Sequence, residues 1–174
     1  MNRPRTSAFV GISLDGFLAR PDGRIDWLTP FEGTENGYTA FIETVDALVI
    51  GRRTYDFVQT IPWPYGKRAC VVMTHRPVAG TNGERASTAN PAALLAELQR
   101  DGIRHAYIDG GEVIRGFLSA GLLDALTVTV VPALIGEGRP LFGGVQLETG
   151  LRLEETRPLE KGMVQLRYAL PARG

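Results

Sequence analysis

The sequence predicts an α/β fold, built on a mostly parallel sheet with an antiparallel edge at its C-terminal end. Three observations predict it. Short apolar runs alternate with segments of helical period through most of the chain. Two of those runs stop at glycine and pass directly into a helical pattern: Ala47–Ile50 into Gly51-Arg52-Arg53-Thr54, and His105–Ile108 into Asp109-Gly110-Gly111-Glu112. The last third carries consecutive strands with no helix between them, which puts antiparallel pairs at one edge.

The elements follow in order. Ala8–Ile12 is apolar throughout and reads as a central strand, with Gly11 permitting close backbone approach. Ser13–Gly33 carries Asp15-Gly16, Pro21-Asp22-Gly23 and Pro30, and is expected to be a long functional loop. Tyr38, Phe41, Ile42 and Val45 fall on one helical face. Strand Ala47–Ile50 and a short helix from Arg52 follow, then the aromatic loop Ile61–Tyr65. Strand Ala69–Met73 ends at Thr74-His75-Arg76-Pro77. Asn90-Pro91 starts a helix, an N-cap followed by proline, with Leu94, Leu95 and Leu98 inward and Asp101-Gly102 at its end. Strand His105–Ile108 leads to a helix with Ile114, Phe117 and Leu118 inward. Ala125–Val131 is a β-branched strand, Gly136–Pro140 a turn, and Met163–Leu170 a strand of alternating type.

Composition bounds the function. The 174 residues are expected to form a single domain over 1–174, with ordinary hydrophobic (44%) and charged (22%) fractions. Nineteen basic residues balance nineteen acidic ones, so no global field recruits nucleic acid or an anionic membrane, and anion recognition must be local. No signal-peptide core or bilayer-length apolar stretch is legible. Cys70 reads as a buried strand thiol; a lone cysteine forms no intrachain disulfide, which fits a reducing cytoplasm. His75 and His105 lack metal-ligand spacing, so no metal site is expected.

Chemistry concentrates at strand ends. Gly51-Arg52-Arg53-Thr54 places two guanidinium groups and a hydroxyl at a helix start, an arrangement that suits phosphate. Thr74-His75-Arg76 adds donors at the end of a neighbouring strand. Gly110-Gly111 lets a pyrophosphate approach the backbone without a Cβ clash. Together they point to a phosphorylated dinucleotide lying across strand ends, although the G-x-G-x-x-G fingerprint is missing. Asp15 is a candidate for orienting substrate or relaying a proton, and equally for an Asp-Gly turn. Glu32 is a second acid candidate or a solvated loop residue, and Trp27 and Tyr38 either line a substrate pocket or belong to the core. No Ser-His-Asp or Cys-His arrangement is legible.

These residues, in this order, resemble the dihydrofolate reductase superfamily, and more closely its branch containing the reductase domain of riboflavin biosynthesis. Ser13-Leu-Asp-Gly-Phe-Leu-Ala19 resembles that branch's opening motif. Gly51-Arg-Arg-Thr-Tyr55, Val72-Met-Thr74 and Asp109-Gly-Gly-Glu112 resemble its NADPH-binding strand ends, and Ala120–Asp124, Pro132 and Gly136–Phe142 its C-terminal segment. The resemblance implies a three-layer α/β/α fold, NADPH as cofactor and a homodimer. It implies that Arg52 and Thr74, with His75 or Arg76, hold the adenosine 2′-phosphate. Arg53 and Thr54 would meet the pyrophosphate from one side, and Gly110, Gly111, Glu112 and Val113 from the other. Ile12 and Ala19 would meet the nicotinamide carboxamide through backbone groups. Phe17 stands where members reducing a ribosylated pyrimidine commonly carry a basic residue, and the strand pattern begins too early for the deaminase domain often fused ahead. Trp27-Leu-Thr-Pro30-Phe-Glu32 faintly echoes the tryptophan–proline–acid spacing of folate reduction. The expected activity is NADPH-dependent hydride transfer to a C=N or C=O bond of a small heterocyclic or carbonyl substrate. The alternatives are dihydrofolate reduction and a non-catalytic NADPH-sensing module.

Overall fold

The computed structural model describes residues 3–145 and 148–171. β1 (Arg5–Ser13) and β2 (Phe17–Ala19) open the chain, followed by a 3-10 turn (Asp26–Phe31) and α1 (Tyr38–Glu43). Next come β3 (Ala47–Gly51), α2 (Arg52–Val58), β4 (Ala69–Met73), β5 (Arg85–Ser87) and α3 (Pro91–Arg100). β6 (His105–Asp109) and α4 (Gly111–Ser119) end the alternating part, before β7 (Ala125–Val131), β8 (Arg139–Pro140), β9 (Arg152–Pro158) and β10 (Val164–Ala169). Eight strands form one sheet in the order β5-β4-β3-β6-β1-β7-β10-β9, while β2 and β8 pair separately. Every ladder from β5 to β7 is parallel, and β10 runs antiparallel to both its neighbours.

Alternation along the strands fills both faces. Ala8, Val10 and Ile12 point to one side, where Leu94, Leu95 and Leu98 of α3 and Ile114, Phe117 and Leu118 of α4 cover them. Leu48, Ile50, Cys70, Val72 and Tyr107 pack on the other side against Tyr55 and Val58 of α2, with Tyr38 and Phe41 of α1 beside them. Helices on both faces make this the expected three-layer α/β/α fold. α3 starts where the sequence places it: the Asn90 side chain accepts the Ala93 N–H at 2.9 Å, and Pro91 occupies the first turn. Cys70 is buried, and burial pushes its thiol up to about 12.

Polar strands are the main departures from the sequence reading. β1 begins at Arg5 rather than Ala8, because Thr6 and Ser7 satisfy their hydroxyls inside. Thr6 Oγ1 donates to Leu122 O at 2.6 Å, and Ser7 Oγ lies 2.9 Å from His105 Nε2. β9 has no apolar alternation; as an edge strand it is held by its ladder to β10 and by ion pairs such as Arg167–Glu155 at 3.0 Å. In β10 the buried residue is Gln165, while the apolar row of Val164, Leu166 and Tyr168 stays partly open. The Ser13–Gly33 segment contains β2 and the 3-10 turn.

Candidate functional site

Parallel strands end together, and that alignment builds the site. Gly51 at the end of β3 stands opposite Met73 of β4, and Ile50 opposite Asp109 of β6. β1 pairs with β6 only as far as Ser7–Tyr107 but with β7 as far as Ser13–Val131. Past the end of β6, one edge of β1 therefore has no strand beside it. A crevice outside the carboxyl ends of parallel strands is where ligands of open α/β sheets bind.

The two glycine motifs lie against each other on this rim. A Cβ on Gly110 would sit 2.9 Å from Thr54 Oγ1 and 3.3 Å from the Gly51 nitrogen, and one on Gly51 would sit 3.3 Å from Val113 Cγ2. Gly110 holds φ at +93°, a conformation glycine tolerates and side chains resist. Arg53 reaches across to Glu112 at 2.6 Å, though both are exposed, so the pair adds little stability. Neither α2 nor α4 has a side-chain cap, so first-turn N–H groups are left for a ligand or solvent. Gly111 packs beside Leu18, which brings β2, and Ala19 with it, to the start of α4. The Ile12 side chain faces the α3–α4 core, while its backbone runs beside Val130.

Arg52 is already aimed. Its Nε donates to Asp56 at 2.7 Å, its Nη1 donates to Pro77 O at 2.8 Å, and the guanidinium lies 5.4 Å from the centre of the Tyr55 ring. Arg76 joins the same carboxylate at 3.3 Å, so Asp56 gathers two guanidinium groups where the Thr74–Pro77 segment meets α2. Thr74 Oγ1 accepts the Arg76 N–H at 3.1 Å and holds that turn; His75 belongs to it too, lining a shallow cleft with Ser87.

A buried carboxylate braces this loop from beneath. Glu84 is 4% exposed and accepts hydrogen bonds from the Tyr55 hydroxyl at 3.0 Å, Gly80 N–H at 3.0 Å and Asn82 N–H at 2.8 Å. Burial alone would raise its pKa, but backbone and tyrosine donors outweigh it and hold the group below its ordinary value. Stability from a depressed carboxylate is present above its ordinary range and lost as pH falls through the folded value. Glu84→Gln is expected to cost about 1–3 kcal/mol at neutral pH, with the deficit shrinking in acid, read from urea midpoints across pH.

Asp109 ends β6 on this rim, opposite Ile50. Its Oδ1 accepts the Gly110 N–H at 2.8 Å, with no cation paired to it among the described residues. The residue keeps some solvent access, yet the surrounding packing desolvates the carboxyl and raises it to about 6. Its charge also bears on Tyr38, Tyr65 and Tyr107 on the same side of the sheet. Burial first, and Asp109 second, push the Tyr38 hydroxyl up to about 12, so it stays protonated. A carboxyl raised toward neutrality has the pKa that general-acid chemistry needs.

Other candidate residues lie elsewhere. The Asp15 carboxylate interacts with the Ser13 hydroxyl and accepts the Gly136 N–H at 2.8 Å and the Ile135 N–H at 3.1 Å. Ser13 and these backbone donors hold its pKa low, so it latches the β1–β2 turn to the loop after β7 and is a poor proton donor. Glu32 is exposed, and its carbonyl accepts a bond from Lys161 in the β9–β10 turn, on the far side of β1 and β7 from Asp109. Trp27 is buried against Val131 and Met163, an anchor for the 3-10 turn. Tyr38 packs edge-on to Phe9 and Tyr107, between the core and the Asp109 end of the crevice. The sequence reading placed Asp109 among the cofactor residues and missed its acidity. An aspartate closing an apolar strand ahead of two glycines was the available clue. Glu84 gave no clue, since its partners lie in an irregular loop and on a separate helix.

The chain matches the family model of the RibD C-terminal domain over residues 6–165. It is 36% identical over 170 residues to the uncharacterized protein YwjB of Bacillus subtilis, covering 94% of this chain and 97% of that one. A crystal structure of a riboflavin biosynthesis protein from Shewanella sp. PV-4, so described provisionally, superposes with a TM-score of 0.87 at 30% identity, over 96% of this chain and 99% of that one. Dihydrofolate reductase from Enterococcus faecalis, complexed with NADP(H), has the same fold at 20% identity, with a TM-score of 0.66 over 95% and 96% of the two chains. The chain belongs to the RibD C-terminal domain family, a reductase type built on the dihydrofolate reductase fold.

Proposed function

We propose that this chain is an NADPH-dependent oxidoreductase that reduces a C=N or C=O bond in a small heterocyclic or carbonyl substrate. One observation carries the reading: Gly51–Thr54, Thr74–Arg76 and Gly110–Val113 converge on a single rim that ends at a desolvated acid, Asp109. The residues fit a nicotinamide cofactor that carries a pyrophosphate and a 2′-phosphate. Arg52 and Arg76 offer two guanidinium groups to the 2′-phosphate, while Arg53, Thr54 and the bare N–H groups of Gly111–Val113 suit the pyrophosphate. NADPH, when bound, supplies the hydride. The chain orients the substrate in the crevice beside β1 and delivers the balancing proton from Asp109 to the substrate nitrogen or oxygen. The structural neighbours include a pyrimidine reductase-like protein, which supports a pyrimidine-type heterocycle as substrate.

Arg52→Ala is expected to weaken NADPH by about ten- to a hundredfold and leave NADH nearly unchanged, because charge-assisted bonds contribute roughly 1.5–3 kcal/mol each. Equal losses for both cofactors would show that Arg52 does not read the extra phosphate. Tight NADPH binding with no substrate-dependent loss of nicotinamide absorbance across pterins, pyrimidines and carbonyls would favour a sensor instead.

The active form in this reading is a homodimer. Leu153 (52% exposed) and Val164 (38%) lie on the outer strands β9 and β10, an apolar strip that a second copy would cover. Leu153→Arg should halve the mass measured by light scattering; an unchanged mass would remove this strip as the interface.

A further inference from the structure

A second cavity, of about 330 Å³, opens at the other end of the sheet from the rim. It lies beside α1, over the first residues of β6 and β7 and across β9 and β10. The rows of aromatic side chains from Phe9, Phe41, Tyr38 and Tyr107 stand between it and Asp109. It is therefore separate from the crevice described above.

Its lining departs from what a packed sheet face requires. On this side β3 and β4 present Leu48, Ile50, Cys70 and Val72, all buried under helices. Toward β10 the same side presents Ser7, Thr127, Thr129 and Gln165, all buried. Gln165 Nε2 donates to Asn36 O at 2.8 Å and to Thr129 Oγ1 at 3.0 Å, so the polar floor is held in place. His105 is fixed in the wall by Ser7 Oγ at 2.9 Å on one ring nitrogen and by Thr44 O at 2.9 Å on the other. Three arginines, Arg5, Arg157 and Arg167, face one carboxylate, Glu155. Arg167 is committed to Glu155 at 3.0 Å and Glu154 at 3.5 Å. The guanidinium groups of Arg5 and Arg157 make no ion pair or hydrogen bond among the described residues. Arg157 is half-buried and lies so close to Gly37 that a Cβ there would come within 3.2 Å of its Nη1.

Two uncommitted guanidinium groups over a floor of hydroxyls define a chemistry. Guanidinium forks match the oxygens of a phosphate, the hydroxyl floor suits a polyol, and the Phe9–Phe41 wall excludes water from one side. We infer that this cavity is a second binding site, for a small phosphomonoester, held by Arg5 and Arg157 and independent of the cofactor rim. The inference stands whether or not the rim takes NADPH.

The two histidines of the chain make the test specific, because His105 lines this cavity and His75 lies on the rim. Desolvation first, and then the Arg5 charge, hold His105 below its ordinary value; the bond to the Thr44 carbonyl, Asp46 and Asp124 act the other way. A bound anion beside Arg5 would offset the cation and raise the His105 pKa. Histidine NMR signals of the full chain are followed during titration with glucose 6-phosphate, and separately with inorganic phosphate. The expected result is a saturable shift of His105 with a raised pKa, tighter for the sugar phosphate, and weakened about tenfold by Arg157→Gln and by Arg5→Gln but not by Arg52→Ala. Arg5 is exposed, so its variant keeps the test valid if Arg157→Gln fails to fold. An unmoved His105, or a shift indifferent to both substitutions, would overturn the site. A phosphate response of equal strength would overturn the sugar part of the assignment. A His105 shift that follows protein concentration without ligand would show that a second copy covers the groove instead. An NADPH titration that leaves His75 unmoved would count against the rim and not against this cavity.

Discussion

Asp109→Asn should lower substrate-dependent NADPH oxidation by about a hundredfold or more while leaving cofactor affinity within a few-fold, since a positioned proton donor contributes roughly 10²–10⁴ in rate. Asparagine keeps the shape and can still accept the Gly110 N–H, so the loss isolates the proton. The wild-type rate should fall as pH rises through about 6, where the desolvated carboxyl gives up its proton, and the variant should lack that limb. The substitution should lower the rate but raise the stability. An acid raised in the folded chain binds its proton more tightly there than in the unfolded chain. Folding therefore loses stability as pH climbs from the ordinary carboxylate range to about 6, and the deficit persists above it. Because Asp109 retains some solvent access, the asparagine variant should gain about 1–2 kcal/mol at pH 8 and little at pH 4. A variant that keeps both the rate and the pH limb would assign the proton to water.

Gly110→Ala should be strongly destabilising and should disturb the rim directly. The position holds φ at +93°, and the new Cβ would meet Thr54 Oγ1 at 2.9 Å and the Gly51 nitrogen at 3.3 Å. Backbone strain and the clash together are expected to cost roughly 2–4 kcal/mol. The two glycine motifs would also be forced apart, and NADPH affinity should fall with the separation. The control lies a turn and a half along α4. A Cβ on Gly116 would meet nothing within 4 Å, and alanine there should stabilise by about 0.5–1 kcal/mol. Similar urea midpoints for the two variants would show that the Gly110 contact is slack.

What the sequence made legible follows from where the physics is local. Strands such as Ala47–Gly51 and Ala69–Met73 are apolar on both faces because helices cover them, so composition marked them. The Asn90-Pro91 start was readable because a cap is a short-range hydrogen bond. The rim was readable because glycines at strand ends imply a backbone approach, and Gly51 and Gly110 do meet. Long-range satisfaction was not readable. Thr6 and Ser7 extend β1 because Leu122 and His105 wait opposite. β9 exists because β10 offers a free edge, and its own residues carry no strand pattern. Asp15 looked like chemistry because acid-glycine pairs occur in both turns and active sites, and only the Ile135 and Gly136 amides decide between them. Asp109 read only as part of a cofactor-binding strand end, because its acidity comes from burial in the folded packing.

Calorimetric titration with NADPH and NADH tests the central claim most directly. The account predicts saturation at one NADPH per chain, and affinity for NADH lower by about ten- to a hundredfold, a gap that closes in Arg52→Ala. A flat trace with NADPH, or equal affinity for both cofactors in the wild-type chain, would contradict it.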